Sequence, residues 1–175
     1  MTKKELKTEL RTWLYEEFAA THAAVLNIDP KYRAHDAVKD VTRRFIYKFN
    51  ERLWGTNTWK KGKAGCDGKG ICVVPFVHNQ QHMDNAHVHI AFHSFPSKLS
   101  DDQIAKCFLD AAKHTRGVQY TKPSEERAAS EVPKSQLTVY IEPAHLSEKW
   151  INYSTRKMSG VDENFLVELM HNTTA

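Results

Sequence analysis

Five of the ten histidines, His78, His82, His87, His89 and His93, fall within sixteen residues. Imidazole is the commonest side-chain ligand for transition ions, so this concentration points to a metal. In the run HVHIAF, His87 and His89 share strand parity and emerge on one face about 7 Å apart along the chain, where both can converge on one ion. Val88 points into the opposite face. A His-x-His pair arises about half a time by chance at this composition. Two solvated histidines would look the same, so the metal reading needs a third donor. The apolar run that precedes ends at His78, across a hairpin connection from His87. Of His78, Gln80, Gln81 and His82, the expected third ligand is His78, with His82 next. His93 shares the parity but falls at the strand end and is left outside the site. Three protein ligands keep positions open for substrate and water, as a catalytic metal site requires.

The second constellation is EKWINYSTRK. With Ser147 as a helix cap, Tyr153 and Lys157 stand four residues apart on one helix face, and Ile151, Thr155 and Met158 form another face for packing. A tyrosine hydroxyl has a pKa near ~10 and is a weak nucleophile unless a base, a cation or a metal assists it. Lys157 can stabilise the phenolate or the charge that builds on a phosphate. A lone tyrosine is more often a half-buried aromatic with its hydroxyl in water, so the role of Tyr153 depends on what surrounds it.

The elements that must position these groups follow from periodicity. Leu6, Leu10, Trp13, Leu14 and Phe18 recur at helical spacing over residues 3–18. THAAVLNID reads as a buried strand ended by Asp29 and Pro30, with a longer first helix as the alternative. Val38, Val41, Phe45, Phe49 and Leu53 predict a helix over 36–53 that Gly55 stops. Its other face carries Lys39, Arg43, Arg44, Lys48 and Arg52, which is either a solvated face or a phosphate-binding one. Residues 55–70 hold five of the seven glycines and four lysines and predict a basic loop. GICVVPFVH and HVHIAFHSF are strands joined as a hairpin, with Pro75 pushing the first towards a sheet edge or a bulge. Ser100 and Gln103 have capping-box spacing before a helix built on Ile104, Phe108, Ala111 and Ala112 and ending by Gly117. QLTVYIEP alternates as a last strand. The order β, α, β, β, α, β predicts an α+β, ferredoxin-like split βαβ fold, an antiparallel sheet of four to five strands with helices packed on one face.

The chain has 175 residues, which calls for one domain: an N-terminal helix over 1–18, a core over 19–158 and a tail over 159–175. A formal charge of +4 is compatible with a polyanionic partner without demanding one. Three cysteines without a C-x-x-C pair argue against a disulfide framework and for a reducing, cytoplasmic setting. No apolar h-region or membrane-length run is present.

HVH, followed some sixty residues later by WINYSTRK, resembles the HUH endonucleases, whose His-hydrophobic-His strand precedes a helical tyrosine closely followed by lysine. RRFIYKFNERLWG, VVPFVH and HVHIAFHSFP are similar in flavour to the single-tyrosine replication initiators of rolling-circle plasmids and phages. The strand before the HUH strand commonly supplies a Glu as third ligand in those proteins; His78 stands at the matching position here. The resemblance implies the HUH fold and an enzyme that nicks single-stranded origin DNA through a 5′ phosphotyrosine. It implies His87, His89 and His78 on a divalent ion, Mn²⁺ or Mg²⁺, with Tyr153 as nucleophile and Lys157 assisting. Arg43, Arg44 and Lys48 on the helix, with Lys60, Lys61 and Lys63 in the loop, are then candidate DNA contacts. Any helicase would be a separate host protein, since no Walker A loop occurs. A single-tyrosine HUH transposase, a non-catalytic single-strand-binding module and a histidine-based metal hydrolase are the alternatives, and covalent capture of DNA separates them.

Overall fold

A computed structural model describes residues 2–32, 34–55, 70–78, 86–120, 139–143 and 155. Helix α1 spans Lys3–Thr12 and starts in a full capping box: the Thr2 hydroxyl accepts from the Glu5 amide, and the Glu5 carboxylate accepts from the Thr2 amide at 2.6 Å. It runs on into a wide π turn over Trp13–Glu17, closed by the Phe18 amide on the Trp13 carbonyl at 2.9 Å. Strand β1 is His22–Asn27, and a short 3-10 turn at Pro30–Tyr32 leads into α2, His35–Trp54. Gly55, at φ 84°, ends α2 in a conformation that disfavours any residue with a Cβ. Strands β2, Cys72–His78, and β3, His87–His93, follow; α3, Asp101–Lys113, begins in the Ser100–Gln103 capping box, and β4 is Val139–Pro143.

The sheet is antiparallel throughout, in the order β2-β3-β1-β4. Its body is the three strands β2-β3-β1, of six or seven residues each, and β4 adds a five-residue strip along β1. Pro75 is accommodated because β2 is an edge strand among the described residues.

Alternation along the strands gives the sheet two different faces. Ala24, Leu26, Val73, Val77, Val88, Ile90 and Phe92 point towards α2 and α3, in a core where Phe45, Phe49, Phe92 and Phe108 meet edge to face at 4.9–5.6 Å. Asn50, 1% exposed, fastens this helix layer to the sheet, since its side-chain oxygen accepts from the Ile71 amide at 3.1 Å just before β2. The other face carries Cys72, Val74, Phe76 and Ala91, and these are covered by Leu14, Phe18 and Ala20 from the π turn and the segment behind it.

The expected HUH arrangement, a sheet of four to five strands with its helices on one face, is corrected here. The sheet has a body of three strands, edged only by the five-residue β4, and the three described α-helices divide between its two faces. The physical reason lies in β2 and β3, which are apolar at both parities, so each face needs its own cover. Among the described residues no helix is long and apolar enough to cross a membrane.

Candidate metal centre

The hairpin of β2 and β3 fixes the histidines. His78 is the last residue of β2 and pairs directly with His87, the first of β3; His89, two residues on, pairs with Phe76 on one side and Val25 on the other. All three histidines therefore project from the face that α1 and its π turn cover further along. Ring centroids lie 4.3 Å apart for His78 and His89, 4.9 Å for His87 and His89, and 5.3 Å for His78 and His87. One ring nitrogen from each comes within 4.8 Å of the others. Three nitrogens on one ion at about 2.0–2.1 Å sit roughly 3.3 Å apart, a convergence that imidazole rotation can supply.

Burial grades across the trio. His89, on the central strand between Phe76 and Val25, is 3% exposed, His78 is 5% exposed, and His87 is half-buried, so the site opens on the side of His87. Burial, reinforced by the neighbouring His78 and His87, pushes the His89 imidazole down to about 2. It is neutral at physiological pH, the state in which an imidazole nitrogen donates its lone pair to a metal. Three imidazoles converge with one open side, and His78, His87 and His89 can hold a metal ion.

His93 is set apart from this group. Its ring stands edge-on to Phe18 at 4.7 Å, and its Nδ1 lies 2.8 Å from the Ser94 hydroxyl, so it belongs to the packing under the π turn. His22 has the opposite parity. Its Nε2 lies 3.3 Å from the Asp101 carboxylate at the start of α3, and burial outweighs the upward pull of that carboxylate to lower its pKa.

Arg43, Arg44 and Lys48 are not brought to the site. They lie on α2, across the sheet from the histidines, and Arg43 is paired with Asp40 at 2.6 Å. Lys60, Lys61, Lys63, Gln80, Gln81, His82, Tyr153 and Lys157 fall outside the described residues. Thr155 is described: it is helical, fully buried, and accepts a 2.9 Å hydrogen bond from Arg11 Nε on α1. Leu10 and Trp13, which flank Arg11, pack against the apolar cluster that contains Phe76, the cross-strand partner of His89.

One neighbour escaped the reading of the sequence. Asn27 pairs with His87 across β1 and β3 and so shares its face, placing a neutral amide beside the open side of the trio. Its signal is strand parity combined with register, and register is not written in a single strand.

No family model, no curated protein and no solved structure matches the chain.

Proposed function

We propose that the chain is a metal-dependent endonuclease that nicks and rejoins single-stranded DNA at a replication origin, with Tyr153 as nucleophile. The observation that carries this reading is the trio His78, His87 and His89 with its open side at His87. It is supported by the likeness of HVH and WINYSTRK to the single-tyrosine HUH initiators.

A divalent ion held by His78, His87 and His89 would polarise the scissile phosphate as a Lewis acid. Phe76 and Val25, buried on either side of His89, exclude water from the inner side. The Tyr153 oxygen forms a bond to phosphorus as the bond to the 3′ oxygen breaks. The phenolic proton passes to solvent, and the departing 3′ oxygen takes up a proton to become a free hydroxyl. Lys157 stabilises the negative charge on the phosphate during the exchange. Reversal by a later 3′ hydroxyl rejoins the strand.

The test is incubation with pooled single-stranded oligonucleotides and Mn²⁺, followed by denaturing electrophoresis. A stable protein–DNA adduct is expected from the parent chain, and Tyr153→Phe should lose it while still binding DNA. Lys157→Ala should slow the reaction without stopping it. Mass spectrometry of the digested adduct supplies the decisive residue. Tyr140 is the rival, since its backbone stands at the register position opposite Val25, two strands or about 9.6 Å from His89. An adduct on Tyr140, or none at all, overturns the assignment.

A further inference from the structure

We infer that the trio selects against Mg²⁺ and takes ions that accept nitrogen donors, the Co²⁺, Ni²⁺ and Zn²⁺ class with Mn²⁺ as its weakest member. This deepens the proposed reading and rests on it only for the location of the site. Three observations carry it. The first is the donor set: His78, His87 and His89 supply three imidazoles, and no carboxylate joins them among the described residues. Mg²⁺ demands near-ideal octahedral oxygen coordination and gives up water reluctantly, whereas imidazole suits the later first-row ions.

The second is the lining. His89 is flanked by Phe76 and Val25, which are 0% and 8% exposed and carry no side-chain oxygen. An octahedral shell of water or carboxylate oxygens has no partners on that side. The third is position: among the described residues, register places Asn27 opposite His87, and its amide is neutral. A neutral amide oxygen beside His87 leaves the nitrogen preference intact. Three imidazoles thus form the nitrogen-rich side of a compact shell, with further positions on the open side at His87.

The measurement is metal binding by the full chain in the absence of DNA. After chelator treatment, the protein is titrated separately with Mg²⁺, Mn²⁺, Co²⁺ and Zn²⁺, following the unfolding temperature and, for Co²⁺, the visible d–d absorption that reports coordination number. Zn²⁺ and Co²⁺ should bind on the order of a hundredfold or more tighter than Mg²⁺, with Mn²⁺ between, in line with the general affinity order. The Co²⁺ band should be weakened in His87→Ala. His78→Glu, which replaces one imidazole by a carboxylate, should narrow the gap between Zn²⁺ and Mg²⁺ by about tenfold. Stabilisation by Mg²⁺ at concentrations equal to those for Zn²⁺ in the parent chain would overturn the inference, whatever the variants do. Failure of DNA nicking with this metal ranking intact would instead sink the nuclease reading alone.

Discussion

The two faces of one sheet are made from alternate residues of the same strands, yet they are finished differently. Towards α2 and α3 the strands present a continuous apolar core, with His22 at its margin, and four phenylalanines interlock there. On the opposite face the apolar patch of Cys72, Val74, Phe76 and Ala91 stops short, and the same strands continue into His78, His87 and His89. Burial on the first face is an end in itself. On the second it acts on chemistry, because the packing that hides Phe76 also surrounds His89 and strips its imidazole of charge. A strand that must serve both purposes divides them by parity and by position along its length.

The largest expected effect sets one face against the other. Phe49→Ala should cost about 3–5 kcal/mol in denaturant unfolding, because its fully buried ring touches Phe45, Phe92 and Phe108. His87→Ala, at a half-buried site, should change metal-free stability by about 1 kcal/mol or less while removing the stabilisation that added metal gives. Equal losses from the two substitutions would erase the distinction between the faces.

A smaller effect probes how the covered face is held. Thr155→Val keeps the buried volume and deletes the acceptor for Arg11, so equilibrium unfolding should fall by about 1 kcal/mol, and Thr155→Ser should recover most of it. No loss in Thr155→Val would mean that packing alone holds this contact.

Proton binding compares the faces directly, since among the described residues each carries a histidine outside the trio with a pKa lowered by burial. His22 towards α3 and His93 under the π turn both have pKa values lowered by burial from the usual 6.5. Below that value the unfolded chain takes up protons that the folded chain refuses, so stability is complete above pH 6.5 and falls as pH drops towards the folded values. His22→Gln should flatten this acid slope in metal-free unfolding curves between pH 6.5 and 5, and an unchanged slope would remove His22 from the account. The smallest effect belongs to the outer surface of α2. Lys48→Gln and Arg44→Gln, across the sheet from the histidines, should leave single-strand affinity within about twofold and stability within about 0.5 kcal/mol. A marked loss of DNA affinity would show that the nucleic acid wraps around to this side.

Individual elements were legible in the sequence because their signals are local. The Ser100–Gln103 capping box, the Gly55 stop and the 3.6-residue apolar stripe of α2 each need only a few neighbouring residues, and the structure has all three. The histidine trio was legible for a related reason: parity puts His87 and His89 together, and a hairpin brings its last and first residues face to face. The placement of helices was not. An amphipathic stripe says that a helix packs but not on which side of the sheet, and for α1 the answer depended on Val74 and Phe76 needing cover. The same gap left the basic face of α2 undecided between solvent and phosphate, and hid Asn27, whose neighbourhood with His87 exists only through the β1–β3 register. The contact of Arg11 with Thr155 joins residues 144 apart and has no local signature at all.

Pro75 has a consequence beyond its own strand. It stands in the middle of seven residues on an outer strand that is otherwise rich in valine and phenylalanine, the composition most prone to recruit strands from other molecules. Proline offers no N–H, so a second chain approaching this margin finds the row of donors interrupted at its centre. The interruption discourages edge-to-edge pairing of sheets between copies.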